Sequence, residues 1–261
     1  MASYQDYLLH LADNALILGQ RNAEWCAHGP ILEEDLALAN NSLDLIGQAR
    51  LLYQHVATVR KDGKSSEDLL AYFRDVPDFR NYTLLELPHR TASLPTASGA
   101  RDYAVTIARN FLYSALMVPV WGELSASSDA QLAAIAAKSL KEVRYHLRHA
   151  HDWVLRLGDG TGESHRRMQV AFDYLMPFTQ EFWTPSAMEA AALKTGAGVD
   201  VTVFKAQWDD TVSDTLQAAT LKLPGSAGFV TTGKLGVHSE HLGFVLAEMQ
   251  SLARAHPEAV W

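Results

Sequence analysis

Lys141-Glu142-Val143-Arg144-Tyr145-His146 is the stretch on which the fold turns. It lies inside a long run of helical periodicity, about Asp129–Leu157. A helical bundle that holds two irons carries Glu-x-x-His on two of its helices and a lone Glu on each of the other two. The spacing of three sets carboxylate and imidazole on one face, side by side. His146 keeps the imidazole, but the place three residues earlier holds Val143. A second helical stretch, Ala37 to Gln48, reads Asn41-x-x-Asp44 against the same motif. Together they predict a bundle of the two-iron kind without the groups that hold the irons.

Apolar groups at Leu8, Leu11, Ala12, Ala15 and Leu18 predict a helix over Tyr4–Cys26 with one buried face. Pro30 and the acidic run Glu33-Glu34-Asp35 open the next helix, which reaches about Arg60. It is rich in Leu, Ala and Ile on more than one side, so burial on more than one side is expected. Asp62-Gly63-Lys64-Ser65-Ser66 breaks it, and a short helix follows, ending before Pro77. Pro88 to Gly99 reads as a loop. Helices over Ala100–Leu124, kinked at Pro119, and Asp129–Leu157 come next. Further helices are expected over Glu163–Trp183, after Pro185, over Val201–Leu221 and over Val237–Ala255. Leu223 to Gly228 reads as a loop, and Val201-Thr202-Val203-Phe204 is the one β-like run. Four long helices in two antiparallel hairpins bury most of their apolar surface as a bundle. The predicted fold is all-α: one four-helix bundle with additional flanking helices, spanning residues 1–261 as a single domain.

Composition narrows the function. The chain of 261 residues is 48% hydrophobic and 20% charged, with a formal net charge of −8. An acidic balance argues against nucleic acid as a partner, because phosphate contacts favour a basic face. No apolar stretch reaches the length that spans a bilayer, and the N-terminus shows no signal peptide, so a cytoplasmic protein is expected. A lone Cys26 forms no disulfide within the chain. Cys26 and His28 lie two apart and point in different directions. No nucleophile elbow or phosphate-binding glycine loop is present.

Several longer motifs in fixed order carry a resemblance. They are Gln20–Cys26, Leu36–Asn40 with Leu45–Arg50, Lys141–Arg148, and Gly236–Gly243 with Ala247–Gln250. Together they resemble the C-type subunits of the bacterial phenylacetyl-CoA epoxidases, also called ring-1,2-phenylacetyl-CoA monooxygenases. The likeness extends over nearly the whole chain. It implies a ferritin-like subunit with a structural, non-catalytic role in aerobic phenylacetate breakdown. The di-iron cofactor and the substrate site would belong to a ferritin-like sister chain, the catalytic A-type subunit. A small B-type subunit would bridge complexes, and a reductase would bring electrons from NADPH. Self-association of the chain when alone stays open.

Set against the di-iron pattern, Leu16 falls near the first lone-carboxylate position, with Ala15 as the neighbouring alternative. Asn41 and Asp44 take the first Glu-x-x-His. Asn110, with Arg109 beside it, takes the second lone carboxylate, and Val143 and His146 take the last motif. Leu, Asn and Val supply no anionic oxygen, so no di-iron centre is expected. His146 then reads as a neutral core histidine, and Asn41, Asp44, Asn110 and Gln48 as a buried hydrogen-bond network in the space of the metals. The competing reading is a metal-binding ferritin-like oxidase in its own right, through Asp44 and His146 or through His238, His241 and Glu248. Those last three share a helix face at spacings of three and seven, which suits a packing or subunit-interface role, or a metal. Lys141, Arg144, Arg148 and His151 form a basic face, followed by Arg166 and Arg167. It suits coenzyme A phosphates, acidic groups of a partner, or a solvated face paired with Glu142 or Asp152.

Overall fold

The computed structural model describes residues 3–91, 101–225 and 228–259. The chain opens with α1 (Tyr4–Ala23) and α2 (Leu32–Arg60). Ser3 starts α1 through a capping box, accepting from the Asp6 amide while its own amide donates to Asp6 Oδ2 at 2.7 Å. No side chain caps α2, but Glu33, Glu34 and Asp35 in its first turn complement the positive helix end. The two helices form an antiparallel hairpin packed along its length. Gly19 permits the close approach, since a Cβ there would sit 3.2 Å from Ile46 and 3.3 Å from Leu45.

Short helices α3 (Glu67–Tyr72) and α4 (Thr83–Glu86) lead to the second hairpin. This comprises α5 (Tyr103–Leu124) and α6 (Ala130–Gly158). Asp129 caps α6, its carboxylate accepting from the amides of Gln131 and Leu132 at 2.9 and 3.0 Å. α2 packs on α6 across the bundle. The remaining helices are α7 (Gly162–Leu175), α8 (Ala187–Lys194), α9 (Lys205–Ala218) and α10 (Glu240–Ala255). α7 and α9 cover α5 and α6, whereas α8 and α10 lie against α1. The fold is the expected all-α ferritin-like bundle with flanking helices, and no strand occurs among the described residues. No described helix is long and apolar enough to cross a membrane.

Four expected boundaries shift, each for a local reason. α1 stops at Ala23, and residues up to His28 continue as turns, with Ala27 in the left-handed region at φ 64°. The helix expected over Glu163–Trp183 ends at Leu175 and tightens into a 3-10 turn over Met176–Glu181. Pro177 is the cause: it has no amide to donate, and its ring meets the preceding turn. Val201–Phe204 is neither strand nor α-helix but a 3-10 turn entering α9. α10 begins at Glu240, capped by Ser239, after Gly236 takes a left-handed φ of 88°. α5 runs on through Pro119 to Leu124 as one element. The Pro88–Gly99 loop falls mostly on residues 92–100, which lie outside the described residues, as do 226–227 in the second loop.

Candidate functional site

The α2–α6 contact is where a two-iron bundle would keep its histidines, and here it is lined with paired polar groups. On α2 the buried polar residues Glu34, Asn41, Gln48 and His55 recur every seven positions. A repeat of seven keeps one helical face toward one neighbour. Opposite them, in antiparallel order, stand His149, His146, Glu142 and the α6 cap Asp129. His149 Nε2 donates to Glu34 Oε2 at 2.8 Å, and the Tyr103 hydroxyl donates to the same oxygen at 2.5 Å. His146 Nε2 donates to Asp44 Oδ2 at 3.1 Å, and Gln48 donates to Glu142 at 2.9 Å. At the far end His55 and Tyr4 both donate to Asp129, at 2.7 and 2.8 Å. Burial, then the Glu34 hydrogen bond and charge, hold the Tyr103 hydroxyl far above its ordinary range, so it stays a donor. Aromatic rings close this end: Tyr145 stacks on His149, and Tyr103 packs edge-on to Trp25 and Trp153.

Asn41 lies in the middle of this seam, 1% exposed, and neither atom of its amide has a partner among the described residues. Ser139 Oγ and His149 Nδ1 on α6 are likewise without one. The single network expected from Asn41, Asp44, Asn110 and Gln48 is therefore not formed. Asp44 and Gln48 make separate pairs, and Asn110 belongs elsewhere. Its amide exchanges two hydrogen bonds of 2.9 Å with Asn22 of α1, and it also donates to the Thr106 carbonyl at 2.9 Å.

Leu16 is displaced from the axis. It is six residues, hence about 120° around the helix, from Asn22. It faces a groove shared with Ile46, Tyr53 and Met249. Ala15 occupies the Asn22 side instead. Arg109 points away to the carbonyls of Leu87 and Pro88, at 2.7 and 2.9 Å, so Asn110 is the residue that meets α1. Val143 is buried with His146 as expected. A di-iron group does not fit this donor set: Leu16, Ala15 and Val143 offer no oxygen, Asn110 is neutral and fully engaged, and Asp44 closes on His146. Among the described residues no three His, Cys, Asp or Glu side chains converge as metal ligands.

The C-terminal trio separates as well. His238 precedes α10, and its side chain is fully buried, bonded through Nδ1 to Glu86 at 2.7 Å and through Nε2 to the Phe79 carbonyl at 3.0 Å. His241 is half-buried at the start of α10, and Glu248 is exposed. His241 and Glu248, seven apart on α10, keep one face, but His238 is off the helix and its ring is not available as a surface contact. Burial lowers the His238 pKa, but the bond to Glu86 and its charge outweigh that and leave it raised. Glu86 also accepts from Asn81 at 2.8 Å and from the Ser239 amide at 2.6 Å, tying the α10 entry to α4.

Of the basic face, Lys141, Arg144 and Arg148 are exposed, with Arg148 over the Tyr145 ring. Arg166 and Arg167 both bind Glu163, and Arg167 also reaches Asp102. Lys138 pairs with Glu142 at 3.2 Å, and His151 with Asp152 at 3.3 Å.

Three buried charged groups outside the seam had no motif to announce them. Asp13, wholly buried in α1, accepts from Tyr53 at 2.5 Å, from the Arg80 amide at 2.7 Å and from the Arg74 guanidinium. Glu189 holds Lys234 at 2.9 Å, and Glu181 holds the Thr83 and Lys234 amides at 3.0 and 2.8 Å. The one available signal was Asp13-Asn14 interrupting the apolar run of α1.

With this geometry in place, the likeness to known proteins is specific. The family model described as phenylacetic acid catabolic protein matches residues 2–261. The C subunit of the 1,2-phenylacetyl-CoA epoxidase of Escherichia coli (strain K12) is 43% identical over 255 residues. The alignment covers 98% of this chain and 98% of that protein.

Proposed function

The chain belongs to the phenylacetic acid catabolic protein family, and on that premise we propose that it is the non-catalytic structural subunit of a multicomponent oxygenase. The substrate would be phenylacetyl-CoA, and the reaction an epoxidation of its aromatic ring. A ferritin-like sister chain would hold the di-iron centre, with a small bridging chain and a reductase completing the complex. The observation that carries this reading is a bundle kept intact while its ligand positions hold Asn41, Asp44, Asn110 and Val143 beside the lone His146. Asp44 and His146 bond to each other, so the one carboxylate–imidazole pair at those positions is spent as a tie between α2 and α6. The chain then acts by burial, holding its sister in an active shape through a large shared interface.

The test is co-expression with the candidate catalytic chain, followed by metal analysis of each chain and of the complex. Iron is expected with the partner alone, and turnover of phenylacetyl-CoA is expected only from the complex. Stoichiometric iron in this chain by itself would make it an oxidase in its own right. Full turnover by the partner without this chain would remove the structural role.

A further inference from the structure

The exposed side of α6 gathers positive charge on a chain that is acidic as a whole, with a net charge of −8. Lys141, Arg144 and Arg148 stand three and four positions apart, so they form one row along the helix. The row is about 10 Å long, and Lys138 and Arg156 extend it to about 27 Å. Lys138 is paired with Glu142 at 3.2 Å, and Arg156 lies over the Trp153 ring at 5.3 Å. Among the described residues no carboxylate pairs with Lys141, Arg144 or Arg148. Like charges at this spacing repel one another, so the row gains from any anion laid across it.

The row is also held in place. Arg148 sits over the Tyr145 ring, 5.6 Å from its centre. Tyr145 is 42% exposed and stacks in turn on His149, which donates to the buried Glu34 of α2 at 2.8 Å. One cation is thereby tied through two rings to the α2–α6 seam, and it loses less freedom on meeting an anion.

Shape selects the anion. A small phosphate ligand takes a concave pocket that buries most of its surface, whereas this row runs along the convex outside of a long helix. It fits an acidic face of another protein. A contact built from exposed charges forms fast and weakens with salt. That is the behaviour of the small interfaces through which redox partners meet. We propose that the row of Lys141, Arg144 and Arg148 docks an acidic face of the reductase that brings electrons to the complex. The inference rests on the multicomponent reading above, and it gives that partner a landing place on this chain.

The experiment follows phenylacetyl-CoA turnover by the assembled complex as the reductase is varied, at low and at high salt. The half-saturating reductase concentration should rise about tenfold with salt. Lys141→Glu/Arg144→Glu/Arg148→Glu should raise it about tenfold at low salt, since three attractions become repulsions. Turnover at saturating reductase, KM for phenylacetyl-CoA and iron content should stay within about twofold of the parent. Lys64→Glu/Lys194→Glu/Lys222→Glu reverses three exposed lysines away from α6, with the same change of net charge, and should behave as the parent does. A half-saturation indifferent to the row overturns the proposal, and so does one that the control variant shifts as far. A rise in the KM for phenylacetyl-CoA alone overturns it in favour of coenzyme A phosphates. Loss of assembly overturns it in favour of a permanent subunit on the row. A parent complex without turnover at any reductase level fails the structural-subunit reading and this proposal together. A parent that turns over and ignores the row fails this proposal alone.

Discussion

α2 and α5 are both long helices of one bundle, and they solve burial in opposite ways. From Ala104 to Met117 every residue of α5 is buried, most of them apolar, because α6, α7 and α9 of the same chain surround it. α2 buries Leu38, Leu45, Leu52 and Val56 together with the polar Glu34, Asn41, Gln48 and His55, and still leaves Leu32, Leu36 and Leu43 outside. α2 thus differs from α5 in mixing polar groups into its buried side and in keeping a row of leucines in solvent. The inner face joins α6 through paired polar groups, while the outer face leaves apolar area in solvent.

The largest test of that contrast is a pair of truncations. Phe111→Ala on α5 removes a fully buried ring and should cost about 3–5 kcal/mol. Leu36→Ala on α2 should change stability by no more than about 0.5 kcal/mol at concentrations where the chain is monomeric. Urea unfolding of both variants checks this, and comparable losses would erase the distinction between the two helices.

Acid should be felt outside the seam next. The seam histidines His55, His146 and His149 each meet a carboxylate. His10 instead bonds the Arg80 carbonyl at 2.6 Å, and burial, with Lys234 adding to it, pulls its pKa down to about 4 against Glu189, Asp13 and that carbonyl. Its folded pKa is below the unfolded value, so the unfolded chain binds the extra proton between about pH 6.5 and 4. Stability should therefore fall by about 3 kcal/mol as pH drops through that window. His89, lowered in the same direction by burial and by Arg109, adds to the loss. Urea midpoints measured across the window for the parent and for His10→Gln give the result, and an unflattened profile in the variant would show that His10 is not the source.

Asn41 gives a smaller effect of opposite sign. Its unpartnered amide in the seam should cost about 1–3 kcal/mol, so Asn41→Leu, similar in shape and needing no partner, is expected to stabilise by about 1 kcal/mol. A destabilised variant would mean that the amide is satisfied after all, and the seam would then be a continuous network.

How much of this was legible follows from which residues speak locally. Periodicity gave the long helices because one-sided burial leaves a pattern within a dozen residues. Helix ends were missed where a single residue overrides the pattern, as Pro177 does after Leu175. At the site, Asn41, Asp44, Val143 and His146 were found because motif spacing ties them together. Leu16 was misplaced because a lone carboxylate position has no spacing partner to fix its register. The recurrence of Glu34, Asn41, Gln48 and His55 at every seventh position was visible in the sequence, but its partners lie about a hundred positions away along the chain. Asp13 and His238 were beyond reach for the same reason: Arg74, Glu86 and Phe79 become neighbours only through the fold.

The smallest stability effect decides most about the seam. Asp44→Asn retains an oxygen for His146 Nε2 to donate to, and it removes only a charge whose side chain is 38% exposed. Such a pair is worth at most about 1 kcal/mol, so unfolding should barely move. If the seam is a structural tie, the variant complex should keep the iron and the turnover of the parent. If Asp44 and His146 ligate a metal, the amide should lose it, because a neutral oxygen replaces the one anionic donor beside the imidazole. Metal analysis and turnover on this single variant therefore separate a helix–helix tie from a metal site in use.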